Sequence, residues 1–111
     1  MSWQQTYKAR LTGADAAMAV VEAGHHVYLG GNAATPLALA QALKRRSLNL
    51  FDGKAPAITV AHVLLLAPDP LEEAITQGAI RHHGFFVGSA DRRAVNEGRA
   101  DYVPVHLHQI P

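Results

Sequence analysis

Gly30-Gly31-Asn32-Ala33-Ala34-Thr35-Pro36 reads as the turn that carries a buried strand into a helix. Ahead of it, His26-Val27-Tyr28-Leu29 is short and rich in β-forming types, and behind it Leu37 to Arg46 repeats apolar residues at helical spacing. The loop therefore sits at the carboxyl end of a strand. Its two glycines allow positive φ and a close approach of another group to the main chain. Thr35 suits a capping position and Pro36 the first helical turn. Backbone amides at such a place favour an anion, and ligands of open α/β sheets gather at strand ends, so a carboxylate, a thioester oxygen or a phosphate is the expected occupant. Most Gly-Gly turns between a strand and a helix are only turns, so the loop by itself marks a place and not an activity.

Upstream, Thr12 and Asp15 suggest a capped helix that buries Ala17, Val20 and Val21 and runs to about Ala23, with Gly24 as its stop. Downstream, the helix after the loop should bury Leu39 and Leu43 with Leu37 or Ala40, and carry Lys44, Arg45 and Arg46 in its last turn. Ser47 to Pro56 is a turn-rich connection. Ala57 to Leu66 is nearly continuous in apolar residues, as in a central parallel strand covered on both faces. Pro68-Asp69-Pro70 ends it, Leu71 to Thr76 allows a short helix before Gly78, and Phe85-Phe86-Val87 reads as another buried strand. Ser89 then caps a helix to about Glu97, stopped by Gly98, and Tyr102 to Leu107 is extended, pushed to a sheet edge by Pro104. Alternating helices and strands give a single α/β domain over residues 1–111, an open, mostly parallel sheet with flanking helices. The strand-like Val105 to Ile110 leads straight to Pro111, a pattern expected of the front part of a longer polypeptide.

Composition narrows the function classes. With 49% hydrophobic residues in 111, the chain can build a core, and ten Lys plus Arg against nine Asp plus Glu leave a formal charge of +1. That balance lacks the basic footprint of a nucleic-acid binder. There is no cysteine, which excludes a thiolate nucleophile and a cysteine metal site and is compatible with a reducing cytoplasm. Met1 to Arg10 has no signal-peptide core, and the run Val60 to Ala67, broken by His62, is too short to cross a bilayer.

Candidate catalytic groups are few. His106 and His108 would share one face of a strand, but no third metal ligand is placed by spacing, so they read as edge or surface residues and His25-His26 and His82-His83 as loop residues. His62, inside an apolar strand, reads as a hydrogen-bonded core or cleft histidine, with ligand contact as the alternative. Glu22, Glu72 and Glu73 sit at solvated positions, and Glu97 is placed for a local ion pair. Neither Ser47 nor Ser89 stands in a nucleophile elbow, and the Gly-Gly loop has neither the lysine of a P-loop nor dinucleotide-binding spacing.

A resemblance goes further. Tyr7-Lys8-x-Arg10-Leu11-Thr12, Glu22-Ala23-Gly24, the Gly30 to Pro36 loop, Phe85-Phe86-Val87-Gly88, and above all Arg93-Ala94-Val95-Asn96-Glu97-Gly98-Arg99-Ala100-Asp101-Tyr102-Val103-Pro104 together resemble the amino-terminal domain of the acetyl-CoA hydrolase/transferase family, which includes 4-hydroxybutyrate and acetate CoA-transferases. The resemblance spans about Tyr7 to Pro111. It departs locally at His25-His26, where the family often has an acidic residue after the glycine.

The resemblance implies a class I CoA-transferase-like fold with an active site between two related domains, and CoA transfer through a glutamyl-CoA thioester on a glutamate of the second domain. No residue here matches that glutamate, so the catalytic set of this chain is empty. Substrate-binding positions implied are Gly30, Gly31, Asn32, Ala33, Ala34, Thr35 and Pro36, with His62, Val87 and Gly88 at neighbouring strand ends. The expected substrate is a coenzyme A thioester, with no tightly bound cofactor and no metal. The expected partners are acyl-CoA, a small carboxylate, a carboxy-terminal CoA-transferase domain and further copies in a homo-oligomer, in the cytoplasm, away from nucleic acid and membrane. The alternative is a non-catalytic stand-alone binding or assembly module.

Overall fold

Four parallel strands form the centre of the computed structural model, which describes residues 1–65 and 68–110 and, for residue 90, the backbone alone. Strands β1 (His26–Tyr28), β2 (Ile58–His62), β3 (Ile80–Gly84) and β4 (Ala100–Tyr102) lie in that order across the sheet. Helix α3 (Leu37–Leu50) connects the first pair, α4 (Glu72–Thr76) the second and α5 (Ser89–Asn96) the third. Ahead of the sheet lie α1 (Trp3–Arg10) and α2 (Ala14–Ala17), the latter continued by a 3-10 turn, Met18–Val20. Residues 66 and 67, the end of the long apolar run, and residue 111 lie outside the described residues.

The sheet is one-sided, which corrects the expectation of a central strand covered on both faces. Burial alternates along β2 and β3: Ile58, Val60 and His62 are buried with Ile80 and His82, while Thr59, Ala61, Arg81 and His83 are half-buried. The register explains this. Val27, Val60, His82 and Ala100 form one row across the helix-covered face, and Tyr28, Ala61, His83 and Asp101 form a row on the other. Leu43 of α3, Leu71, and Ala74 and Ile75 of α4 join Ile58, Val60 and Ile80 in the core. Each fully buried aliphatic side chain there contributes about 1.5–3 kcal/mol relative to exposure.

Several local readings change. The polar first ten residues form a helix with a Ser2–Gln5 capping box and no buried residue, so no apolar period announced it. The helix read from Thr12 to Ala23 has Gly13 at its cap and loses α-geometry after Ala17; Val21 is buried but Val20 is 76% exposed. Asp15 is taken by Arg45 at 2.9 Å instead of serving the cap. In α3 the buried positions are Ala40, Ala42, Leu43 and Ser47, while Leu37 and Leu39 face outward. The helix runs on to Leu50, so Lys44, Arg45 and Arg46 are mid-helix and serve lateral contacts, to Glu73, to Asp15 and to the Val21 carbonyl.

The third strand is Ile80–Gly84, not Phe85–Val87, and the His82-His83 pair lies within it, not in a loop. Phe85 and Phe86 extend its pairing through amides donated to the His62 and Val63 carbonyls, but the Phe86 side chain is exposed. The last strand starts at Ala100, just after Gly98 turns at φ 74°, and ends ahead of Pro104; Leu107–Gln109 is a 3-10 turn, not a strand. His106 and His108 therefore do not share a strand face. They stack, exposed, with ring centroids 5.7 Å apart.

Candidate functional site

Three chain segments converge where β1, β2 and β3 end. Leu29 donates its amide to the Ala61 carbonyl, Asn32 to Leu64, and Phe86 to Val63, so pairing continues past the regular strands and draws the Gly30–Pro36 loop against residues 63–64. A Cβ on Gly31 would lie 2.3 Å from the Leu64 carbonyl oxygen, and one on Gly88 would lie 2.7 Å from the Leu64 side chain. Glycine is needed at position 31, where the obstacle is backbone, whereas at position 88 the Leu64 side chain can move aside to admit a Cβ.

The positive φ expected of the glycines falls instead on Asn32, at 51°, with Gly31 extended. Asparagine is among the residues that tolerate this left-handed geometry, and strained positions cluster at ligand clamps. Asn32–Ala34 form a 3-10 turn on the surface. Thr35 is buried, and its hydroxyl donates to the Asn32 carbonyl at 2.7 Å, so it braces the loop and does not cap α3. The amides of Asn32, Ala34 and Thr35 are committed to the carbonyls of Leu64, Gly31 and Asn32. Val87 and Gly88, half-buried, complete this ledge from the β3 side.

His62 stands apart from the ledge. Its side chain has no exposure and points beneath the sheet end, where it meets His82 with ring centroids 3.8 Å apart. Asp91, on the first turn of α5, closes the group: its Oδ1 lies 3.9 Å from His62 Nε2 and 3.7 Å from His82 Nδ1. Among the described residues, neither nitrogen of His62, nor His82 Nε2, nor Asp91 Oδ1 has a hydrogen-bond partner. A buried polar group in that state costs about 1–3 kcal/mol. Burial lowers the His62 imidazole to about 4; burial, with the neighbouring histidines, lowers His82 to about 3. Burial raises the Asp91 carboxyl above its ordinary range, against the opposing pull of the Gly88 amide. Spacing could not reveal this group, because its members come from three elements; the one available signal was His62 inside the apolar run that forms β2.

The Asn96 to Tyr102 block serves the architecture. Glu97 bridges Arg93 and Arg99, accepting from their Nε atoms at 2.8 and 2.9 Å, as its position suggested. Asp101 accepts a forked pair of bonds from Arg81, which holds its carboxyl below the usual range, and faces His83 Nε2 at 3.1 Å. Cavities open elsewhere. One of about 280 Å³ is lined by Asp69, Glu72, Arg93 and Glu97 among others, and one of about 460 Å³ by Leu37, Lys44, Asp69 and Glu73 among others. Neither includes Gly30, Gly31, His62 or Gly88, so these cavities and the strand-end ledge are separate places. The ledge is the better candidate because its backbone is constrained, whereas the cavities are open to solvent and lined by charged side chains of both signs, with burial raising the Asp69 carboxyl.

A sequence model of the acetyl-CoA hydrolase/transferase N-terminal domain matches residues 1–111. The 4-hydroxybutyrate coenzyme A transferase of Clostridium kluyveri is 29% identical over 111 residues, all of this chain and 25% of that protein. A succinyl-CoA:acetate/propanoyl-CoA:succinate CoA transferase of Fasciola hepatica is 38% identical over 90 residues, 79% of this chain and 17% of that protein. The crystal structure of RipA from Yersinia pestis superposes with a TM-score of 0.75 at 24% identity, over 98% of this chain and 27% of that one. A RipA point mutant gives 0.79 at 25% identity over the whole chain and 27% of its own. The chain thus spans about a quarter or less of the proteins it matches, and the structural likeness establishes the α/β fold.

Proposed function

The chain belongs to the acetyl-CoA hydrolase/transferase family, as its N-terminal domain, and on that premise we propose that it supplies one wall of an acyl-CoA and carboxylate cleft. The observation that carries this reading is the Gly31–Leu64–Gly88 convergence beneath a surface loop strained at Asn32. The substrate is a coenzyme A thioester, and the second substrate a small carboxylate. Gly30 to Pro36 line the acyl end; the amides of Asn32, Ala34 and Thr35 are taken by the Leu64, Gly31 and Asn32 carbonyls, which among the described residues leaves those of Gly30, Gly31 and Ala33 for the developing oxyanion. Val87 and Gly88 form the adjoining edge.

The nucleophile is a glutamate outside this chain. Its carboxylate would attack the thioester carbonyl to give a mixed anhydride and CoA thiolate; the thiolate would attack the glutamyl carbonyl, release the first carboxylate and leave CoA as a glutamyl thioester, and the same two steps run in reverse with the incoming carboxylate would form the new acyl-CoA. The ledge, Gly30 to Pro36 with Val87 and Gly88, carries no carboxylate of its own, and off the ledge Asp91 is buried and Glu97 is held by two arginines. The purified chain should therefore show no exchange of label between acetate and acetyl-CoA, and exchange above the buffer rate would overturn this division of labour. Ala33→Glu, which places an anion on the ledge, should weaken acetyl-CoA binding in equilibrium dialysis; unchanged binding would remove the ledge from the cleft.

A second reading, a non-catalytic binding or assembly module, draws support from the half-open sheet face and the exposed Tyr28, Phe86 and Tyr102. It expects self-association or a bound partner. A monodisperse monomer by light scattering, with no copurifying chain, would count against it.

A further inference from the structure

His62, His82 and Asp91 come from β2, β3 and the first turn of α5, and converge beneath Gly88 with 0–3% side-chain exposure. One ligand-type atom from each lies within 4.8 Å of the other two. Four polar atoms of the group have no partner among the described residues, and two of them, His62 Nε2 and Asp91 Oδ1, face one another.

The separations discriminate between possible occupants. Direct hydrogen bonds would bring the nitrogens to about 2.7–3.2 Å from the carboxylate oxygen, and 3.7 and 3.9 Å are too long for that. A shared water, about 2.8 Å from each partner in tetrahedral disposition, would hold them roughly 4.5 Å apart. An ion bound at about 2.0–2.2 Å holds its donors roughly 3.4 Å apart. The two histidine–aspartate separations lie nearer the last value, and a few tenths of an ångström of side-chain movement closes their difference, with the two imidazoles turning to bring the third separation inside 4.8 Å. Two imidazoles and one carboxylate, with no sulfur and few oxygens, suit a borderline divalent ion, and suit Ca2+ or Mg2+ poorly.

We infer that His62, His82 and Asp91 form a buried three-ligand site for a divalent transition ion, Zn2+ foremost, that ties the start of α5 to the sheet beneath Gly88. The fourth position falls to a water. Held at the separations above, the ion supplies a partner to His62 Nε2 and Asp91 Oδ1, two of the four atoms, takes His82 Nδ1 as its third ligand and fixes one edge of the strand-end ledge, so its role is structural. This inference stands independently of the CoA reading, since it uses none of the ledge residues as ligands.

The test uses the 111-residue chain stripped with a chelator. Titration with Zn2+ should give one saturable equivalent per chain by calorimetry, with a rise in melting temperature. Co2+ in place of Zn2+ should give the intense visible absorption of a tetrahedral centre. Asp91→Asn and His82→Gln should each weaken binding by about a hundredfold, while H106Q/H108Q, which removes the exposed histidine pair, should leave it unchanged. Far-UV circular dichroism checks that the variants fold; if either fails to fold, the Co2+ spectrum of the unaltered chain decides. Absence of a tetrahedral Co2+ spectrum, absence of a one-to-one Zn2+ equivalent, or binding that follows His106 and His108 would each overturn the proposal.

Discussion

The Gly30–Pro36 loop and the His62–His82–Asp91 group lie at the same end of the sheet and are built by opposite means. The loop works through its main chain. Its side chains are small, and its shape comes from contacts between neighbours in sequence and the Leu64 backbone. The buried group works through side chains that meet only because two strands pair and a helix docks over them. The first can fail by gaining one carbon; the second keeps its shape through surrounding packing even while its own polar atoms lack partners. A site made of backbone is thus steric and local, and a site made of buried polar side chains depends on the whole layer above the sheet.

The largest expected effect breaks the loop. Gly31→Ala puts a methyl group against the Leu64 carbonyl, where only backbone movement makes room, and should cost about 2–4 kcal/mol in urea unfolding. Gly13→Ala, with nothing within 4 Å and an ordinary φ, should stay within about 0.5 kcal/mol and serves as the control. A loss at Gly31 no greater than at Gly13 would mean that the close approach is not what shapes the loop.

Asp69 lies between the two cases, a largely buried carboxylate with one oxygen taking the Leu71 amide at 2.8 Å. Burial is the main cause that lifts its carboxyl to about 6, so the folded state holds its proton more tightly than the unfolded chain. Its contribution to stability is therefore full below about pH 4 and fades as pH rises through about 6. Wild type minus Asp69→Asn, followed by melting temperature from pH 4 to pH 7, should fall along this window, by an amount on the order of 1–2 kcal/mol after solvent screening. A flat difference would show that one backbone amide fully satisfies the group.

The buried group gives a smaller, signed effect. In chelator, His62→Leu removes two unpartnered nitrogens and should change stability by less than about 1 kcal/mol, or raise it. With Zn2+ present the same substitution should be clearly destabilising, and equal effects in both buffers would erase the contrast between the two regions. The smallest change sharpens the loop side: Asn32→Gly, which relieves φ 51°, should alter stability by only about 0.5–1 kcal/mol in the favourable direction. A loss there would show that the Asn32 side chain holds the loop.

Legibility follows the same division. The strand–loop–helix unit from His26 to Arg46 was readable because its signals are contiguous: β-formers, small residues, then helical periodicity; the helix's last turn to Leu50 was read as loop because Ser47, Asn49, Asp52 and Gly53 look like turn residues. The short α4 and the Gly78 and Gly98 stops were readable for the same reason. β3 was misplaced because His82 and His83 look like loop residues, and only pairing with β2 shows that one of them faces the core. The burial of Val20 and Leu39 was misjudged, and of the alternatives Leu37 and Ala40 it is Ala40 that is buried, because helical spacing names a stripe but not the neighbour that covers it.

By itself the sequence determined the α/β alternation, the place of the Gly-Gly loop, the lack of a nucleophile matching the family pattern and the likeness to the acetyl-CoA hydrolase/transferase family. All of these reside in consecutive residues and their order. Tertiary structure alone decided that one sheet face stays half open, that Asn32 and not a glycine bears the left-handed turn, and that His62 meets His82 and Asp91. Parallel pairing brings residues 22 positions apart in the chain, such as Val60 and His82, side by side, and helix docking then selects which of their side chains lose contact with water.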